Sequence, residues 1–452
     1  MDRRIGRFLL ALALPLLLVM PACSGGTNTA TPSPSPTFGS IPVPTSGSTS
    51  SPNASPQATG TPGTAASLGK VAYVLDGDIY TVALPSGPPQ RLTADGTNAS
   101  PLWSPSGDWL IFQHLHSYWV MRADGSDARA LQEGFAVWAA RDDRLAYTSG
   151  PGTVVVENAD GSGTVELPAP SGTPAGLAWS PDGSWLAFVE EGGEVPNRYA
   201  KLWLLPSDGS GANVELFSST TDGIFLAGWT ADARFILFWL DTQFSASLAA
   251  DGLPLEAVRI SSSLPRQLAT TLTGPGLLAP LATGENIAVT DGGGRETWTG
   301  KRIATVNAQS GQPNDLTPTS AASIAPAWSS DGSRIAYVSE PDKGAAIAGS
   351  DPTQMAADRR IWVMGWDGSD QRALTSDQAY RDERPLWSGD GSEVLFARLD
   401  AGLHASLWLV DSGGGTARRV VEAVGSQAGG VADNLGLVDW ETIYDYWPGA
   451  GQ

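Results

Sequence analysis

The chain has 452 residues, with 47 Asp and Glu against 27 Lys and Arg, for a net charge of −20. A surface this acidic repels phosphate backbones and anionic headgroups, which excludes nucleic acid as a partner and direct adsorption to a membrane. One cysteine excludes an intramolecular disulfide, and three histidines without a G-x-S-x-G, H-E-x-x-H or Walker pattern give little support for catalysis, a cofactor or a metal.

The chain opens with a basic stretch (Arg3, Arg4, Arg7) and thirteen apolar positions from Phe8 to Met20, interrupted by Pro15. That run is too short to span a bilayer and suits a signal-peptide core. Ala22 directly before Cys23 resembles the bacterial lipoprotein cleavage box. The resemblance implies a signal peptide over residues 1–22, a lipid on Cys23 and an extracytoplasmic, membrane-anchored protein. Residues 23–67 form the next unit: after Cys23 come almost entirely Ser, Thr, Pro, Gly and Ala, with no charged residue. Such a composition cannot bury enough surface to offset its ordering entropy, so it is expected to be a disordered tether.

From Leu68 to Gln452 a pattern recurs: a Trp, a tight polar turn, then an apolar triplet. Its clearest copies are LWSPSGDWLIF (102–112), AWSPDGSWLAF (178–188), AWSSDGSRIAY (327–337) and LWSGDGSEVLF (386–396). A repeated unit of this size cannot bury its own apolar face and must stack on its neighbours. Each unit reads as four short strands, A to D. Strand A ends at Trp103, Trp138, Trp179, Trp229, Pro280, Trp328, Trp387 and Trp440. Strand B starts near Val71, Leu110, Leu145, Leu186, Ile236, Ile287, Ile335 and Val394. Both series give eight. The expected fold is therefore all-β: a β-propeller of four-stranded antiparallel blades, eight in number, with seven or six as alternatives. The region opens at a strand B and ends with a lone strand A around Trp440, so a carboxy-terminal strand is expected to complete the first blade. The Trp residues of the repeat are expected to wedge between blades. Asp-Gly turns such as SPDG follow type I turn chemistry and lack calcium-loop spacing.

The blocks WSPDGSWLAF and WSSDGSRIAYVS resemble the repeats of TolB-like, WD40-like bacterial β-propellers, over residues 68–450. TolB itself has six blades and an amino-terminal α/β domain, where this chain has eight repeats and a linker. The resemblance implies a propeller with a binding role, without naming a partner.

In a four-stranded meander, A–B and C–D turns share one face, and B–C and D–A connections share the other. The insertions fall in B–C (190–200, 241–255, 291–301, 340–360), so that face is expected to hold the ligand. Tyr380, Arg381, Asp382, Glu383 and Arg384 precede a strand A on that face, and Glu190 and Glu191 end a strand B there as a pair suited to an amine or cation. His114 and His116 are too few for a metal site by themselves. The expected function is non-enzymatic binding of an envelope protein or peptide by a monomer that meets the membrane only through its lipid. The alternative is a carbohydrate-binding propeller, or a lyase or hydrolase using channel carboxylates, with Trp239, Trp298 and Trp447 outside the repeat as stacking platforms.

Overall fold

The computed structural model describes residues 67–449 except 132–133, 348–349, 428–429 and 434. The leader, Cys23 and the tether up to residue 66 lie outside the described residues. The described region forms eight four-stranded antiparallel sheets. Its helices are single turns such as Ala246–Ala249 and Pro352–Met355. Blade 1 takes its strand A from the end of the chain (Tyr444–Trp447) and strands B to D from Lys70–Leu75, Asp78–Ala83 and Gln90–Arg91. Blades 2 to 8 follow in chain order, with A strands Asn98–Trp103, Ala136–Trp138, Thr173–Trp179, Gly223–Trp229, Leu278–Pro280, Ala321–Trp328 and Arg381–Trp387. Strand A is innermost, where successive A strands touch. The eight-bladed ring, closed through its first blade, is thus the observed architecture.

Blade formation follows from the repeat. In blades 4, 5, 7 and 8 the residue after the Trp is Ser or Thr, and an Asp follows two positions later. In blade 7 the Ser329 hydroxyl donates to Asp331 at 2.6 Å and accepts the Arg334 N–H at 3.0 Å. Ser180–Asp182, Thr230–Asp232 and Ser388–Asp390 repeat the arrangement at 2.6, 2.7 and 2.7 Å. The turn then needs a positive φ, which Gly183, Gly332 and Gly391 supply at 75°, 67° and 66°; in blade 5 Ala233 is forced to 59°. Strand B then starts at Lys70, Trp109, Arg144, Trp185, Phe235, Asn286, Arg334 and Glu393, one residue ahead of each expected position.

The Trp residues join the blades by two bonds. The indole N–H of Trp138, Trp229, Trp328 and Trp387 donates to the carbonyl of Leu102, Ala178, Ala279 and Ala327 at 3.0–3.2 Å, always the residue before the Trp or Pro that ends strand A of the preceding blade. A cation that opens strand B covers the next indole: Lys70 over Trp103 (5.6 Å), Arg144 over Trp179 (5.1 Å) and Arg334 over Trp387 (4.6 Å). Around these contacts, alternate residues of each strand B pack toward the two neighbouring blades: Leu186 and Phe188 toward blade 3, Ala187 and Val189 toward blade 5.

The closing strand differs from expectation in its position. Trp440 lies in a 3-10 turn (Trp440–Thr442), and the paired strand is Tyr444–Trp447, in register from Tyr73↔Tyr444 to Lys70↔Trp447. Tyr444 and Tyr446 are buried while Asp445 and Trp447 are half-buried, and it is these four residues that pair with strand B, whereas the chain turns at Trp440. Trp447 therefore holds the repeat position assigned to Trp440.

Candidate functional site

The long B–C connections sit where the meander requires, on the face shared with D–A (the loop face). The run Gly425–Ile443, from strand D of blade 8 to strand A of blade 1, belongs to the same face. It is tied down by buried charges. Arg359, 1% exposed, donates to Glu340 (3.1 Å), Glu383 (2.5 Å), the Thr297 hydroxyl (2.6 Å) and the Gly436 carbonyl (2.5 Å). Arg381 donates to Glu383 (2.6 Å), Asp433 (2.5 Å) and the same Gly436 carbonyl (3.0 Å). The Trp440 indole donates to the second oxygen of Glu383 at 2.9 Å. Burial pushes the Glu383 carboxyl up, but Arg381 and Arg359 outweigh it and hold the group below the usual glutamate range. Asp382, fully buried, forms a two-bond pair with Arg398 at 2.6 and 2.9 Å.

This changes the standing of the run 380–384. Arg381, Asp382 and Glu383 are buried and bonded to the protein itself, so none offers a free group to a ligand. Tyr380 is half-buried, with Arg398 over its ring at 5.0 Å. Arg384 stands at a positive φ of 48° and donates to the Trp440 and Tyr444 carbonyls (2.7 and 2.6 Å), which fixes the seam of the ring.

Glu190 and Glu191 are neighbours in sequence but point to opposite sides of strand B of blade 4 (Trp185–Gly192). Glu190 is 5% exposed, and one of its oxygens has no hydrogen-bond partner. Glu191, which pairs across the strand with Thr173, is bonded to Arg198 at 2.9 Å. The structure brings a different partner to Glu191: Asp241, at the end of strand B of blade 5 (Phe235–Asp241). Burial pushes Asp241 up to about 6 against the hydrogen bond from the Ser245 N–H, with Glu191 and Asp222 raising it and Arg198 lowering it. Asp241 is 6% exposed, and its Oδ1 has no hydrogen-bond partner. Pairing of Gly223 with Asp241 places Asp222 alongside. Neither Asp222 nor Asp241 was legible as a site residue, because each stands alone in the sequence and only strand pairing between A and B of blade 5 joins them.

His114 bonds Thr97 and Asn98 through its Nδ1 at 3.2 Å. Among the described residues no group of three or more His, Cys, Asp or Glu is arranged to hold a metal, and no helix is long and apolar enough to cross a membrane.

Four large apolar side chains are exposed on loops of this face, Leu115 (64% exposed), Val195 (87%), Leu248 (41%) and Ile347 (79%), and four more, Val165, Val214, Leu264 and Trp366, at C–D connections on the other. The stacking platforms fare differently. Trp239 and Trp298 are 3% and 1% exposed, and the Trp239 indole is bonded to Thr271, so neither presents a face to a sugar. Trp447 borders a cavity of about 420 Å³ at the opposite end of the inner strands, together with Trp103, Trp138 and Trp179.

No protein-family model matches the chain, and a search of curated proteins finds no match. Solved structures do match. Dipeptidyl peptidase 4 from Porphyromonas gingivalis is similar at 13% identity and a TM-score of 0.53, covering 77% of this chain and 57% of that one. Dihydro-heme d1 dehydrogenase in complex with DHE is similar at 13% identity and TM-score 0.53, covering 79% and 74%. A putative TolB from Agrobacterium tumefaciens is similar at 15% identity and TM-score 0.34, covering 78% and 89%. The peptidase and the dehydrogenase, both at TM-score 0.53, agree with a β-propeller fold. At such identities the likeness concerns the fold alone.

Proposed function

We propose that the protein is a lipoprotein of the bacterial envelope, processed after residue 22, anchored through Cys23 and tethered by residues 23–67. Its propeller holds a protein or peptide partner on the loop face, without catalysis. The observation that carries this reading is the set of exposed apolar tips, Leu115, Val195, Leu248 and Ile347, on the face that also bears the insertions. Val165, Val214, Leu264 and Trp366 are exposed at C–D connections on the other face, so it is the coincidence of apolar tips with the long insertions that fits a contact surface. The glycan reading loses support with the burial of Trp239 and Trp298.

A photo-crosslinking amino acid at Val195 or Ile347 of the full chain in its native membrane tests this. It is expected to capture one discrete partner. The same label at Trp366 or Leu264, exposed at C–D connections on the other face, is expected to capture none. Equal capture from both faces, or none from either, overturns the reading. Separately, Cys23→Ser is expected to move the protein from the membrane to the soluble fraction; retention on the membrane refutes the anchor.

A further inference from the structure

Resting on that loop-face reading, the geometry points to a lysine- or arginine-receiving notch between the B–C loops of blades 4 and 5, built from Glu191, Asp222 and Asp241 and flanked by Val195 and Leu248. Three observations carry it.

First, charge in the notch is unbalanced. Three carboxylates face one guanidinium, Arg198, which is already committed: it bonds Glu191 at 2.9 Å and stacks on Phe244 at 4.1 Å, lacing the two loops together. Asp222 accepts the Gln243 N–H at 3.0 Å and the Thr221 hydroxyl at 2.8 Å, neither of which carries charge.

Second, Asp241 is more than nine-tenths buried, and one oxygen lacks any partner. The Ser245 N–H is the one donor to Asp241; a buried carboxylate oxygen left without a donor is costly, and a protein that retains one leaves a position for a donor from outside.

Third, each of the two loops carries an exposed apolar side chain. Val195 stands in the loop that also carries Arg198. Leu248 stands in the turn Ala246–Ala249, whose cap, Ser245, accepts the Leu248 N–H four residues beyond Asp241. An apolar rim over an anionic floor matches a side chain with an aliphatic stem and a cationic head. A bare divalent ion fits less well, because the carboxylates are not arranged as a metal-ligand group.

The test uses the detergent-solubilised full chain and three probes: acetyl-Ala-Lys-Ala-amide, the same peptide with norleucine for Lys, and calcium chloride. Saturation-transfer NMR and titration read the binding. The Lys peptide is expected to bind and to weaken with salt; the norleucine peptide is expected to bind at least about tenfold more weakly, the loss of one charged hydrogen bond. Asp241→Asn and, as a second variant on the half-exposed side of the notch, Asp222→Asn are each expected to weaken the Lys peptide about tenfold or more. Asp160→Asn, on the turn face, is expected to leave it unchanged. Equal binding of the two peptides, displacement of the Lys peptide by one equivalent of calcium, or unaltered binding by both notch variants overturns the proposal. Crosslinks from Val195 that persist in such a case retain the loop-face partner and reject only the notch.

Discussion

Replacing Glu383 by Gln tests whether the loop face is held together by charge. The isosteric change keeps volume and one acceptor but removes the charge that faces Arg359 at 2.5 Å and Arg381 at 2.5–2.6 Å, and puts an amide N–H₂ against two guanidinium groups or the Trp440 indole. Breaking a buried ion pair by removing one partner costs about 3–5 kcal/mol. An unfolding entropy of about 2.1 cal/mol/K per residue gives roughly 0.8 kcal/mol/K for a domain of this size, so the midpoint should fall by about 5 °C. The pH dependence has a definite sign. Glu383 is held below its ordinary value in the folded protein, so its contribution is present above the ordinary carboxylate range and is lost as pH falls through the folded value. The gap between wild type and variant should therefore be largest near neutrality and close on acidification. Calorimetry across pH gives the gap, and hydrogen exchange over residues 430–443 shows whether the connector opens first. A variant as stable as wild type at neutral pH, or a gap that widens in acid, would refute the reasoning.

Other outcomes are equally specific. Trp387→Ala removes a 5%-exposed indole, its bond to the Ala327 carbonyl and the ring beneath Arg334, and should cost about 3–5 kcal/mol by chemical denaturation. Ala233→Gly relieves a positive φ of 59° at a position where other blades carry Gly, and should stabilise the fold by about 0.5–1 kcal/mol, measured the same way. Asp241→Asn should stabilise the protein at pH 8. The folded carboxyl sits at about 6, among Glu191, Asp222 and Arg198, so its ionisation opposes folding once pH rises above the unfolded value, and the gain should vanish below about pH 4. Equal midpoints for wild type and Asn variant at pH 8 would show that Asp241 is not strained by its surroundings.

Blade number, strand order and the starts of the B strands were legible in the sequence because they are local. A Trp, an Asp-capped turn and an alternating triplet are specified within about eleven residues and repeat without outside help. The seam lies seven residues beyond the expected Trp440, at Trp447, because burial alternates through both segments and only the turn at Trp440–Thr442, which no local signal marks, decides which one pairs. The candidate site was legible only as a face. The run 380–384 looked like a free polar cluster, yet its partners Arg359, Arg398 and Asp433 lie on other strands and loops, so no local signal shows that it is self-satisfied. Glu190 and Glu191 looked like a pair, and period two separates them; Asp222 and Asp241 looked unrelated, and one strand pairing unites them.

Because Tyr444–Trp447 supplies the innermost strand of the sheet begun by Lys70–Leu75, the first blade to be synthesised is the last to be finished. Until Tyr444–Trp447 arrives, the nascent polypeptide carries an exposed, hydrogen-bond-hungry edge at the centre of the ring. A chain cut before Tyr444 leaves the Lys70–Leu75 edge without its partner strand.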